Sequence, residues 1–112
     1  MFFVVGIETF FALDIRVGRI VAVEDHEKAR KPMYKLTVDL GQEIGTRIIV
    51  AGIKAHYQKE ELMNKKIACI VNLDPKVIAG LESQGMLLAA GEGDRIAVLV
   101  PDKDMAEGSK IH

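Results

Sequence analysis

The stretch Leu13-Asp14-Ile15-Arg16-Val17-Gly18-Arg19-Ile20-Val21-Ala22-Val23 decides the fold. Its first half, Leu13 to Val17, alternates apolar and polar residues, the period of a strand with one buried face. Gly18-Arg19 breaks the phase, and Ile20-Val21-Ala22-Val23 is apolar on both faces. A glycine at a phase break predicts a bulge or sharp bend, the device by which one long strand serves two parts of a barrel. Downstream, Tyr34-Lys35-Leu36-Thr37-Val38-Asp39-Leu40 alternates without a fault, which turns Tyr34 inward and Lys35, Thr37 and Asp39 outward. Arg47 to Val50, Ile67 to Leu73 and Met86 to Ala90 read as further short strands, and Arg95 to Val100 closes the set before Pro101. Lys54 to Asn64 differs. It contains Glu60-Glu61-Leu62-Met63 and no β-branched residue, which predicts a short helix, and Asn64 tolerates the left-handed conformation that ends one. Short, bent strands with a helix between the third and fourth predict an all-β fold, the five-stranded Greek-key OB barrel, which binds oligonucleotides on one sheet face and the adjoining loops. No internal repeat, low-complexity stretch or linker interrupts the chain, so residues 1–112 are expected to form a single domain.

A chain of 112 residues can bury one modest core. With four Phe, two Tyr and no Trp, that core must be built from Ile, Val, Leu and Met. The single cysteine, Cys69, excludes an internal disulfide and suits a reducing compartment. Within Ile67-Ala68-Cys69-Ile70-Val71 it reads as a small buried hydrophobe, its thiol blunted by apolar surroundings. Met1-Phe2-Phe3-Val4-Val5-Gly6-Ile7 has no basic residue before its apolar run, and Glu8 interrupts it, so it does not read as a secretion signal. No apolar stretch approaches the roughly 20 residues of a membrane helix. The expectation is a cytoplasmic protein without a membrane partner.

The net charge of −1 is a poor start for a polyanion binder, but its distribution is uneven. Residues 28–66 sum to +5, through Lys28, Arg30, Lys31, Lys35, Arg47, Lys54, Lys59, Lys65 and Lys66 against Asp39, Glu43, Glu60 and Glu61, while the segments on either side sum to −3 each. Either a polyanion-facing surface or a solvated mixed-charge one fits this pattern. The chain also holds more apolar residues than a small barrel can enclose. Phe2, Phe3, Val4, Val5, Ile7, Phe10 and Phe11 crowd the start, and Met105 and Ile111 follow the last strand. Two readings cover them: these extra N- and C-terminal segments form the seam of a homodimer, or the N-terminal residues plug one end of the barrel.

No enzymatic arrangement emerges. His26, His56 and His112 are far apart with no metal-ligand spacing, so no metal site is expected and each histidine reads as a surface group. Cys69 has no base partner in the pattern. Gly91-Glu92-Gly93-Asp94 lacks the strand–helix context of a phosphate loop and reads as a turn. No cofactor is implied. Between two apolar runs, Asn72-Leu73-Asp74-Pro75-Lys76-Val77-Ile78-Ala79-Gly80-Leu81-Glu82-Ser83-Gln84-Gly85 forms a loop that carries hydrogen-bonding groups on a rigid frame.

Several segments, in order, resemble the tRNA-binding domain that accompanies some aminoacyl-tRNA synthetases. They are Leu13-Asp14-Ile15-Arg16-Val17-Gly18-Arg19-Ile20-Val21, Tyr34 to Gly41, Tyr57 with Glu60-Glu61-Leu62, and Asn72-Leu73 followed by Ser83-Gln84-Gly85-Met86. The family includes free-standing structure-specific tRNA-binding proteins, the C-terminal module of methionyl-tRNA synthetases, the endothelial-monocyte-activating polypeptide type and the CsaA secretion chaperones. Ala29-Arg30-Lys31-Pro32-Met33-Tyr34-Lys35-Leu36 is similar to the chaperone branch, as is Pro75-Lys76-Val77-Ile78-Ala79, whereas Ser83 to Ala90 is similar to the tRNA-binding branch. The chain departs from the latter in carrying Asp74 where a Lys is common and Ala79 where an Arg is common.

The resemblance implies a non-catalytic RNA binder. Phosphates supply most of the affinity of such proteins, and Arg30, Lys31, Lys35, Arg47 and Lys76 are the candidate phosphate contacts. Folded RNA is read by shape and through unstacked bases. Asn72, Ser83 and Gln84 suit hydrogen bonds to sugars or base edges, and Met86 suits packing against an exposed base. Ordinary core packing for Met86 and a turn-forming role for Asn72 remain open alternatives. Three functions follow: tRNA binding, a CsaA-like dimer that binds unfolded or export-competent polypeptide, and an assembly subunit that raises the tRNA affinity of a separate methionyl-tRNA synthetase.

Overall fold

The computed structural model describes residues 3–112; Phe2, counted above among the apolar start, lies outside the described residues. The elements run α1 (Ile7–Phe11), β1 (Ile15–Asp25), β2 (Tyr34–Asp39), α2 (Gly41–Ile44), β3 (Thr46–Ala51), α3 (Lys59–Leu62), β4 (Lys66–Ile70), β5 (Lys76–Ile78), β6 (Leu81–Ser83), β7 (Met86–Leu87), β8 (Ala89–Glu92), β9 (Arg95–Val98) and β10 (Lys110–Ile111). The main sheet has the order β3-β2-β1-β4-β7, with β10 added beside β1. Every pairing in it is antiparallel. It curls into a nearly closed OB-type barrel, with α3 between β3 and β4 as the sequence predicts.

β1 is the long strand that serves two parts of the barrel. Residues Ile15 to Arg19 pair with β4, and Arg19 to Asp25 pair with β2. The bulge lies between Ile20 and Ala22, not at the glycine. Gly18 is needed for a different reason. A Cβ there would lie 2.5 Å from Val38 Cγ1 and 2.8 Å from Leu40 Cδ2. The missing side chain lets β1 pass over the buried face of β2.

The alternation of β2 holds residue by residue. Tyr34, Leu36 and Val38 are buried, and Lys35, Thr37 and Asp39 are partly exposed. Leu36 pairs with Ile49 across β3, and both meet Ile20, Ile67, Leu62 and Leu87 in one core. Each such side chain contributes on the order of 1.5–3 kcal/mol through burial. Cys69 is fully buried there, and desolvation pushes its thiol up to about 12. The helix is shorter than the stretch that predicts it. A capping box between Gln58 and Glu61 starts it, and Asn64 follows at φ 66°, the left-handed stop expected.

Two features differ from the expectations, and a third adds to them. The run Met86 to Ala90 splits at Leu88, whose N–H donates to Ala68 O while its carbonyl accepts from Leu99 N. The chain thereby leaves β4 and enters a separate hairpin of β8 and β9. The last predicted strand is therefore a hairpin partner outside the main sheet, and Gly91 to Asp94 forms its turn end. Next, the N-terminal segment plugs nothing: Phe3 is 91% exposed, Val4 89%, and α1 buries no residue. Finally, the C-terminal segment straps the barrel. Gly108 N donates to Val17 O and Val17 N donates to Ser109 O, at a place where Gly41 and Gly108, with φ of 85° and 88°, bring two backbones into contact.

The strap is held by charge as well. Arg16, buried in β1, donates to Asp14 and Glu43 at 2.7 Å each and to Gly108 O at 3.2 Å. The bonded guanidinium holds the Asp14 carboxyl below its usual range, and both carboxylates raise the Arg16 pKa. Lys66 pairs with Asp104 and Glu107, and Arg19 with Asp39 and Glu107.

Because the Gly18 site has room for no carbon, Gly18→Ala should destabilise the fold by roughly 1–3 kcal/mol, the usual range for an overpacked core. Thermal unfolding followed by circular dichroism measures it; a melting temperature equal to that of the parent would contradict the packing argument.

Candidate nucleic-acid interface

Strand β3 has β2 along one edge and no backbone ladder along the other. Its outer amides would be unpaired at the mouth of the core. Ser83 and Gln84 pair them. Ser83 Oγ accepts from Val50 N at 2.9 Å and donates to Gly85 O at 3.1 Å. Gln84 Oε1 accepts from Ile48 N at 2.9 Å, and Gln84 N donates to Ile48 O at 2.7 Å. Side chains thus stand in for a missing strand and close the barrel.

Arg47 completes the seam. It lies opposite Val38 on the inward face of β3, and its guanidinium donates to Val71 O and Gln84 O, both at 3.1 Å. Those carbonyls flank the two ends of the excursion 72–83, so one arginine gathers the neck of that loop. Asn72 braces it from another side: Oδ1 accepts from Asp14 N at 2.7 Å, and Nδ2 donates to Ala12 O at 2.8 Å. Arg47, Asn72, Ser83 and Gln84, all expected on chemical grounds to meet RNA, therefore each make side-chain hydrogen bonds within the barrel and its loop. Ser83 is only 6% exposed.

The loop they hold is not irregular throughout, as the sequence predicts, but folds as the β5–β6 hairpin, with Lys76 opposite Ser83 and Ile78 opposite Leu81. Ala79 and Gly80 turn it in left-handed conformations. The segment between β1 and β2 lies against this hairpin. His26 Nε2 is 2.7 Å from Ile78 O; a carbonyl only accepts, so the imidazole donates there. His26 is thus a partly exposed latch between two loops, a contact that its isolation in sequence does not predict.

Two hollows meet at Ile78. One is lined by Lys28, Arg30, Lys31 and Met33; the other by Val50, Asp74, Lys76 and Met86. Together they form a groove with an apolar floor and a basic rim. Lys35 lies opposite Val50 in the β2–β3 pairing and so shares the face that borders it. Met86, 46% exposed, belongs to this surface and not to the core. Arg30, Lys31, Lys35, Lys76 and Met86 are thus brought together, whereas Arg47 sits on the other face of its strand. Lys28, Met33, Asp74 and Ile78 also line the groove without standing among the candidates; proximity to Arg30 and Lys76 in sequence is their only signal.

The electrostatics sort the basic residues. Lys54 and Lys59 pair with Asp25, whose carboxyl is held below its usual range by Lys54 first and Lys59 next. Lys66 and Arg19 are held by the strap. Among the described residues Lys28, Arg30, Lys31, Lys35 and Lys76 have no carboxylate within ion-pair distance, and they border one groove. Tyr34 is no stacking platform: it is buried, and its hydroxyl donates to Tyr57 O at 2.8 Å.

An OB-type barrel with cations around an apolar groove defines a class, the small Greek-key β-barrels whose sheet face and loops bind oligonucleotides or oligosaccharides. Within that class the chain belongs to the family described as "Putative tRNA binding domain", whose model matches residues 15–110. It is 50% identical over 107 residues to the methionine–tRNA ligase of Pyrococcus horikoshii, covering 96% of this chain and 14% of that one. The chain therefore spans about one seventh of the length of that relative. Among solved structures, the CsaA chaperone protein from Picrophilus torridus matches with a TM-score of 0.92 and 41% identity, over 97% of this chain and 100% of that one. A MetRS-related protein from Pyrococcus horikoshii matches with a TM-score of 0.89 and 31% identity, over 99% and 100% of the two chains.

Removing the seam's hydroxyl leaves the Val50 amide without its partner, so Ser83→Ala should lower stability by about 1–3 kcal/mol, the cost of a buried unsatisfied donor. Urea unfolding with an unchanged m-value measures it. An unaltered midpoint together with a large loss of RNA affinity would instead make Ser83 a direct ligand contact.

Proposed function

We propose that this chain is a non-catalytic, cytoplasmic tRNA-binding domain that grips folded RNA in the groove between the 26–33 segment and the β5–β6 hairpin. The observation that carries the reading is the set of cations without carboxylate partners, Lys28, Arg30, Lys31, Lys35 and Lys76, gathered there in a chain whose net charge is −1. Phosphate contacts position such a ligand, and the apolar floor receives a base that has left its stack. The similarity to methionine–tRNA ligases favours a role beside that enzyme, either as part of a longer chain or in trans, where a second RNA-binding module raises overall affinity by effective concentration. Polypeptide binding is the second reading. The CsaA neighbour and the apolar groove floor favour it.

The domain is further proposed to work as a homodimer. The apolar side chains of α1 and its approach, with Val100 and Met105 from the strap, form exposed surface of the kind that marks partner sites. Sedimentation at micromolar concentration should give a species of twice the chain mass, and Phe11→Asp should shift it to the monomer. A monomeric parent protein ends this part of the proposal.

Equilibrium titration with total tRNA between 50 and 200 mM salt tests the main reading. The logarithm of the association constant should fall linearly with the logarithm of salt, losing about 0.7–0.9 in slope per phosphate contacted. Lys31→Ala and Lys76→Ala should each reduce that slope by about one without changing the melting temperature. Affinity indifferent to salt, with tight binding of an unfolded peptide, would replace the RNA reading by the polypeptide one.

A further inference from the structure

Among the described residues, one carboxylate lines the two hollows. Asp74 lines the hollow formed by Val50, Ile78 and Met86, beside Lys76. It is exposed, and among the described residues it takes part in no ion pair. Its position is also constrained. Pro75 follows it with a restricted backbone angle, and Asn72, two residues before, is tied at both ends of its amide to Asp14 and Ala12. The carboxylate is carried on a braced loop at the edge of an apolar hollow.

A phosphate entering this hollow would meet like charge. The backbone of a bound strand is therefore kept out of the hollow and held at its borders, by Lys76 on one side and by Lys28, Arg30 and Lys31 across Ile78 on the other. What turns toward Asp74 is a base. Its faces can pack against the apolar side chains of Ile78 and Met86, and its edge meets a carboxylate, which accepts hydrogen bonds and donates none. Among the four RNA bases only guanine sets two donors side by side on its Watson–Crick edge, N1–H and the N2 amino group. Adenine and cytosine place an accepting ring nitrogen beside their amino group, and uracil flanks its one N–H with two carbonyls.

We propose that the hollow between Asp74 and Met86 is a guanine-selective subsite for an unpaired nucleotide, with the Asp74 carboxylate accepting from N1–H and N2–H. The proposal rests on the RNA-binding reading above. It adds base specificity to a surface that would otherwise track phosphates alone.

The test uses the full chain and single-stranded octauridylates that carry one central guanosine, adenosine, cytidine or inosine, measured by fluorescence anisotropy. Guanosine should bind about tenfold or more tightly than the others, the range of one good bidentate base contact. Inosine keeps N1–H but lacks the amino group, and it should fall with adenosine and cytidine. Asp74→Asn replaces an acceptor-only group by one that also donates. It should erase the preference while leaving the melting temperature as it was and tRNA binding still steeply dependent on salt. Equal binding of all four oligonucleotides, with steep salt dependence intact, overturns the subsite and leaves the RNA reading standing. Failure of every oligonucleotide and of tRNA to bind overturns both. Base-indifferent binding together with an arginine-bearing peptide whose affinity is lost in Asp74→Asn overturns the subsite in favour of a polypeptide ligand.

Discussion

The outer edge of β3 is the constraint on which the rest of this molecule depends. A barrel of short strands must pair both edges of its sheet or leave buried amides without partners, and each orphan costs as much as several favourable contacts supply. Here the last barrel strand, β7, is only Met86–Leu87. It is too short to run alongside β3. The residues just before it make up the difference through Ser83 Oγ, Gln84 Oε1 and the Gln84 backbone. The chain must then arrive at Ser83 from a fixed direction, and that direction is what the β5–β6 hairpin and the Arg47 clamp provide. The groove is a by-product of closure: the hairpin that delivers Ser83 to the seam is also its wall.

Charge follows the same arrangement. The +5 segment of residues 28–66 is not a uniform basic surface. Asp25 takes Lys54 and Lys59, and the strap takes Lys66 and Arg19 through Glu107. Exposed pairs of this kind add little stability. Their larger effect here is on the field, since they neutralise those four cations and leave Lys28, Arg30, Lys31, Lys35 and Lys76 among the cations that can act on an anionic ligand.

Much of this is legible in the sequence, and the part that is not has a common cause. Alternation marks Tyr34 to Asp39 because one face of β2 is core along its whole length, and Asn64 marks the helix end because a backbone conformation selects residue type there. Those are local signals. Gly18 reads as a bend because it breaks the phase, but it is required by Val38 and Leu40 from another strand. The bulge itself sits at Val21, which carries no local mark. The polar residues of the loop pose the same problem. Ser83 and Gln84 have the chemistry of ligand contacts, and nothing local says that an unpaired strand edge will claim them. Lys31 and Lys76 stand out in the sequence as surface cations because exposed charges outside the core have few alternative uses. The meeting of residues 26–33 with the hairpin, through His26 and Ile78, is invisible there, since it joins segments 52 positions apart.

Asn72 links the two surfaces proposed to bind partners. Its amide joins Ala12, at the end of α1, to the loop that carries Asp74 and Lys76. A second copy of the chain packed on α1 would order Ala12, and with it one of the two anchors of the groove wall; the other, Arg47, is already inside the barrel. In the proposed dimer the seam and the ligand groove would share a loop, and a rigid neck is what a site needs to hold its cations at the spacing of a folded backbone and not merely near it. The exposed apolar N-terminal segment and the loop beside the basic groove are joined by one side chain, Asn72, whose isolated sequence position indicates only a turn.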